Sequence, residues 1–256
     1  MTFEYASVED AIARRGLRMV VVGGVPSPWG ESAKGILHMK GIDWTAVKLA
    51  YDSDAMKAWT GRQDGPVAMY DDERPRAGWA EILLLAERLA PNPPLLPKDA
   101  AQRALAFGLA HEIVGEEGLG WTRRVQLVHA GLTGKGGFPE RAAKYLAKKY
   151  GYTPEAGAAS TARVVALLRM LAARLEAQRA AGSDYYVGDT VTAVDVYGAA
   201  VCALFAPLPE EHCAMRAETR GAFTTLDDET REALAPVLLA HREMMYARWL
   251  ELPLRL

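Results

Sequence analysis

Cysteine is scarce: Cys202 and Cys213 are the two thiols in 256 residues. They could form at most one bridge, and no C-x-x-C occurs, so a reduced, cytoplasmic setting is expected. Histidine is equally thin. None of the five has metal-like spacing, and the adjacent pair His212-Cys213 lacks the partner cluster a metal needs, so no metal is expected. A basic excess is missing too. Thirty Lys and Arg against 32 Asp and Glu leave a net charge of −2, which argues against a nucleic-acid partner. The local cluster Lys144, Lys148, Lys149 reads as a solvated helix face. Apolar runs stop far short of the ~18–20 residues that span a bilayer, and Met1–Arg18 has no stretch fit for a signal peptide. No membrane association is therefore expected.

What is present is apolar content. Half the residues are hydrophobic and 24% are charged, enough to bury the core of one large domain or two small ones. The chain changes grammar near residue 90. Before it, strand-like and helix-like pieces alternate. Met19–Val22 is a buried-strand run ended by Gly23-Gly24, and residues 32–40 read as a helix stopped by Gly41. Asp43–Leu49 alternates as a half-buried strand does, Val67–Tyr70 is a further strand, and Trp79–Leu89 has helical spacing. Pro91, Pro93, Pro94 and Pro97 then break any helix. After Lys98 the periodicity predicts helices near 99–117, 121–131, 139–150, 154–181, 192–206 and 228–250, the last kinked or divided at Pro236. The expected organisation is an α/β domain over 1–90, a linker over 91–98 and an all-helical domain over 99–256.

The turn at Pro26-Ser27-Pro28-Trp29 is the chemically richest segment. A strand, a tight turn and a helix start there place a hydroxyl and free N–H groups at one spot, which suits an anion or a thiolate. A serine before proline also commonly just shapes a turn. Gly65-Pro66 opens a strand, where proline cannot donate to the ladder, and a cis bond would leave the main chain of Gly65 free to pair with a peptide ligand. Thr192 and Asp195 form an S/T-x-x-D capping box before an apolar helix.

These segments carry a resemblance. G-G-V-P-S-P-W-G-E-S-A-K-G-I-L-H-M-K-G-I-D-W resembles the start of serine-type glutathione transferases, and is most similar to the tau-like class. Gly65-Pro66-Val67 sits where that family has a cis-proline, and Gly188-Asp189 through Thr192 and Asp195 matches its helix-nucleating box. Over about 18–206 the resemblance implies a thioredoxin-like domain joined to a helical bundle.

It also implies roles. Ser27 would donate to the sulfur of glutathione, the co-substrate, and favour its thiolate. Trp29 would stand beside it. Lys40 would meet the glycine carboxylate, although a cation at a helix C-terminus needs no such reason. Gly65 and Pro66 would align the cysteinyl main chain. The glutamyl end falls at Gly78 and Trp79, where Ala77-Gly78-Trp79-Ala80 replaces the family's Glu/Gln-Ser. Either Arg74 or Arg76 takes over that carboxylate, or glutathione is held weakly or not at all. A small hydrophobic electrophile would lie between the domains, against Trp29, His111, Trp121 and Tyr145, each of which could instead be core packing. A homodimer is implied. Two functions compete: a glutathione transferase, or a non-catalytic binding or regulatory protein on the same fold.

Overall fold

The computed structural model describes residues 4–256. The first three residues of the Met1–Arg18 stretch lie outside them.

Three strands form the sheet: β1 (Leu17–Val21), β2 (Trp44–Lys48) and β3 (Val67–Tyr70). The order is β2-β1-β3, with β2 parallel to β1 and β3 antiparallel to it. Every residue of the central strand is buried. Its alternation divides the interior. Leu17, Met19 and Val21 join the main core, while Val20 joins a smaller cluster on the other face with Val47, Met56 and Val67. After β3 the chain returns in a single bridge, in which Ala68 and Arg76 exchange N–H···O bonds of 2.8 and 2.9 Å. The charged run 71–76 supplies no apolar alternation to extend it.

Helices α2 (Pro28–Met39) and α4 (Trp79–Leu89) cover the main-core face. Two short helices cover the other: α1 (Val8–Ala13) and α3 (Asp54–Thr60), started by Ser7 and Ser53, whose hydroxyls accept from the N–H of Asp10 and Met56. Helices this short carry too few periods to stand out in the sequence.

The second half holds α5 (Ala100–Val114), α6 (Leu119–Leu132), α7 (Glu140–Lys149), α8 (Pro154–Ala180), α9 (Ala193–Val201), α10 (Ala217–Thr224), α11 (Asp228–Ala233) and α12 (Pro236–Arg248). Pro236 divides the last periodic segment, being the first residue of α12. Ala217–Thr224 forms a further short helix, outside the segments whose periodicity predicts one. Helix α8 is, among the described residues, long and apolar enough in composition to cross a membrane, a test that a buried core helix also passes. Its Val164, Leu167, Leu168, Leu171 and Leu175 lie in the main core, and it packs on α6, α11 and α12.

The main core runs without a break from the sheet into the bundle, through α2 against α9. Asp195 organises that junction. One oxygen accepts the N–H (2.8 Å) and hydroxyl (2.9 Å) of Thr192, and the other meets the N–H of Tyr186 (2.9 Å) and Nε2 of His241 (3.0 Å). The linker is anchored as well, since Ala193 donates to the Leu95 carbonyl and Leu95 and Leu96 are buried.

Candidate functional site

Ser27 is the N-cap of α2 in extended conformation, with Pro28 at the first helical position. Its carbonyl takes the first helical bond, from Glu31 N–H at 2.8 Å. Its side chain does not cap the helix, and among the described residues nothing is hydrogen-bonded to the hydroxyl. The serine is only 8% exposed, so the hydroxyl is held in place without being consumed. The N–H groups of Trp29 and Gly30 belong to the first turn, where helical partners do not exist. Donors and the positive end of α2 thus converge on one point.

The Gly65–Pro66 peptide is cis. No other main-chain group pairs with Gly65 among the described residues, and a side chain there would press on the Val20 carbonyl, with Cβ only 3.2 Å away. Strand β1 and the Gly65 loop are therefore in direct contact.

The start of α4 is built differently. Gly78 is its N-cap, and the carboxylate of Glu81 folds back onto the N–H groups of Ala77 (3.2 Å) and Gly78 (3.3 Å). Arg74 grips the other oxygen of Glu81 at 2.6 Å. These contacts hold the Glu81 carboxyl below the usual carboxylate range, the Arg74 hydrogen bond being the largest cause. The neighbouring Arg76 is tied to Glu73 at 2.8 Å, as is Arg88 at 2.6 Å. Arg74 and Arg76 are thus each paired with an acid of the chain, against the alternative in which one of them takes the ligand carboxylate. The place where an acidic ligand group was sought holds an acid of the chain itself. The signal was in the sequence: a carboxylate three residues past the N-cap is half of a capping box.

Lys40 also departs from expectation. Its ammonium is enclosed and makes three contacts, with Glu87 (2.6 Å) and the carbonyls of Ala90 and Pro93 (2.8 Å each). Lysine has three donors, so none remains for a glycine carboxylate. The role is architectural: Lys40 ties the end of α2 to the linker.

Trp29 bridges the halves. Its indole N–H donates to the Val114 carbonyl (2.7 Å), and its ring lies 6.3 Å from that of Tyr150. The Tyr150 ring in turn stands edge-on to Trp121 at 4.8 Å. Trp79 packs edge-on to Tyr197 at 5.7 Å and beside Phe107, so its ring joins the two domains. Tyr145 is half exposed and meets Tyr51 edge-on at 5.7 Å across the cleft. His111 is exposed near the end of α5 and is not among these rings, so it leaves the pocket. The structure thus brings together Ser27, Trp29, Trp121 and, at the rim, Tyr145, and adds Tyr51 and Tyr150, which periodicity alone did not single out.

A cavity of about 270 Å³ lies along this cleft, between Gly61–Asp64 and the pair Tyr145 and Lys149. A larger one, about 810 Å³, opens on the opposite face of α2, against Glu31, Lys34 and His38. None of the expected site residues lines it. Glu31 and Lys34 are paired at 2.7 Å, and burial pushes the Glu31 carboxyl upward. Among the described residues no cluster of three His, Cys, Asp or Glu is placed to hold a metal. Cys202 and Cys213 are both buried and free.

No protein-family model matches the sequence, and no curated protein matches it. Solved structures do match the fold. A glutathione S-transferase from Methylobacterium radiotolerans, in complex with glutathione sulfonate, superposes with a TM-score of 0.61 at 20% identity over 91% of each chain. A rice glutathione S-transferase in complex with glutathione gives 0.59 at 19% identity over 94% of each. Ure2p in complex with glutathione gives 0.54 at 13% identity, over 89% of this chain and 98% of that one. The chain therefore has the glutathione transferase fold: a thioredoxin-like domain followed by a helical domain.

Proposed function

We propose that the chain is a glutathione-dependent transferase acting on small hydrophobic electrophiles. The observation that carries this reading is the Ser27 hydroxyl, fixed at an open helix N-terminus and unpartnered. An ordinary thiol titrates near 8.5, and the thiolate is the nucleophile. A hydroxyl donating to sulfur and the positive end of α2 both favour the charged form. The thiol proton goes to solvent. The sulfur then forms a bond to the electrophilic carbon, and the leaving group departs with the electron pair of the bond that breaks. Gly65 would align the cysteinyl main chain, and the rings of Trp29, Trp121 and Tyr150 would receive the apolar partner. The gain is lowered thiol pKa plus proximity.

Structures of similar fold that hold glutathione, in the rice enzyme and in Ure2p, support the thiol as co-substrate. A homodimer is the assembly the resemblance implies, and two buried free thiols fit a reducing cytoplasm.

One observation favours a second reading. Glu81 closes the N-terminus of α4, the place expected to take the glutamyl carboxylate, which suits a non-catalytic binding protein on the same fold. Calorimetric titration with glutathione separates the two. The transferase reading expects a Kd of about 1 mM or tighter, some −4 kcal/mol. Absence of binding at saturating glutathione overturns it in favour of the second.

A further inference from the structure

The 810 Å³ cavity lies on the side of α2 turned away from Trp29. It is enclosed by the N-terminal segment, β2, α9, α12 and the C-terminal tail, and its volume is that of a small-molecule pocket. Its wall includes two polar side chains that are each 8% exposed, Glu31 of α2 and Tyr246 of α12. Lys34 holds Oε1 of Glu31 at 2.7 Å and also donates to the Arg255 carbonyl at 2.6 Å. No other described residue bonds to the carboxylate, which has lone pairs for about four donors. Burial, the largest cause, pushes the Glu31 carboxyl upward against the pull of Lys34, so one ammonium does not offset what the site costs this charge. The Tyr246 hydroxyl has no hydrogen-bond partner among the described residues. Buried polar groups are normally matched, and these two face the same space with capacity left.

The charges around the cavity decide the sign of a ligand. Lys34 is paired with Glu31, and Glu251 meets both Arg255 (2.8 Å) and His38 (3.6 Å). The charged lining that has no ion pair among the described residues is Glu4, Asp10 and Arg14, all exposed at the mouth. Two carboxylates there face one guanidinium. An anion would find its buried cation already engaged. A cation finds the remaining lone pairs of Glu31, the oxygen of Tyr246 and an acidic mouth. The rest of the wall is apolar, with Val196 and Ala200 of α9 and Leu250 and Leu254 of the tail, and the indole of Trp44 lines the same space. Aromatic faces attract ammonium groups.

We propose that this cavity is a second ligand site, which takes a small organic ammonium: a protonated primary amine on an aromatic or alkyl body. Glu31 receives the ammonium, Tyr246 is its second acceptor, and the body lies against Val196, Leu250 and Leu254. A primary ammonium has three donors, so one is left for the mouth, where Glu4 and Asp10 also raise the local concentration of cations. A second cation on Glu31 favours its charged form and supplies the compensation that Lys34 alone does not. The site is separate from the Ser27 turn and does not depend on the transferase reading, since no residue of the proposed thiol site lines it.

Three indoles of similar shape test it by calorimetric titration without glutathione: tryptamine, a cation; tryptophol, neutral; and indole-3-propionate, an anion. The wild-type protein should bind tryptamine at least about tenfold more tightly than either of the others, the worth of one charged hydrogen bond. Tryptophol or indole-3-propionate binding as tightly as tryptamine overturns the proposal, as does the absence of tryptamine binding at millimolar concentration. Glu31→Gln keeps the shape and removes the charge. It should weaken tryptamine at least about tenfold and leave tryptophol within about twofold. An equal loss on both ligands makes Glu31 structural and overturns the proposal. Tyr246→Phe should weaken tryptamine severalfold, and tryptamine binding insensitive to both substitutions overturns the proposal as well. Should Glu31→Gln fail to fold, Tyr246→Phe and the exposed Asp10→Asn decide: a loss of tryptamine affinity in both supports the site, and no change in either overturns it.

Discussion

Helices α2, α4 and α9 all begin at the sheet or the domain junction, and each presents the same surplus of N–H groups. Their starts are finished in three ways. At α9, Asp195 matches the N–H of Thr192 and reaches Tyr186 and His241 as well. At α4, Glu81 turns back on Ala77 and Gly78 and is itself clamped by Arg74. At α2, Ser27 supplies the right residue type for a cap and does not make the bond. A serine hydroxyl that leaves its local N–H donors uncapped while 8% exposed is available to a ligand. The comparison teaches where to look for chemistry: at the start left unfinished, not at the one with the strongest motif.

Four substitutions break or sharpen this comparison. The largest effect belongs to α9. Asp195→Ala leaves the buried donors of Thr192, Tyr186 and His241 unmatched within the helical domain, and should cost about 3–5 kcal/mol of unfolding free energy, read by denaturant titration. A loss below 1 kcal/mol would mean that water replaces the carboxylate easily. Next comes Lys40, at the far end of α2. Lys40→Met strips Glu87 and two linker carbonyls of their partner and should cost about 2–3 kcal/mol, with no change in glutathione affinity by calorimetry. A weakened affinity would restore Lys40 to the binding site.

Ser27→Ala follows. It should lower kcat/KM by about 10- to 100-fold, with unfolding free energy moving by no more than about 0.5 kcal/mol, since no internal bond is lost. The apparent pKa of bound glutathione, followed by thiolate absorbance, should rise toward the ordinary ~8.5. A stability loss with turnover preserved would make Ser27 a turn residue after all. The smallest effect is at α4. Glu81→Gln removes the built-in anion and should tighten glutathione binding by about two- to fivefold, the worth of a charge at a helix start. Acid should act in the same direction on this contact. The Glu81 carboxyl is depressed in the folded chain, so its contribution to stability is present above the unfolded value, about 4.3, and is lost as pH falls through the folded one.

Much of this was legible in the sequence where period and punctuation coincide. The β1 run, the Ser27-Pro28 helix start, Gly65-Pro66 and the Thr192–Asp195 box are local patterns whose meaning needs no distant partner. What failed to show was whatever depends on a partner far along the chain. Nothing near Lys40 announces Glu87, nor does anything near Arg76 predict a strand of a single bridge, because the run 71–76 is charged and satisfies itself through Glu73. Arg123 and Arg124 are identical letters side by side. Only the fold distinguishes the one that meets four acceptors from the one that meets rings.

Lys40 has one more consequence. Four prolines between two domains would ordinarily make a tether, and domain pairs in one chain move against each other by default. Here an enclosed ammonium rivets the end of α2 to the crossing at Ala90 and Pro93. With Ala193 of the helical domain donating to the Leu95 carbonyl, the tether becomes a fixed joint. The width of the cleft is then set by the skeleton of the protein, so whatever enters meets a slot already cut to size, and adjustment is left to the tyrosines at its rim.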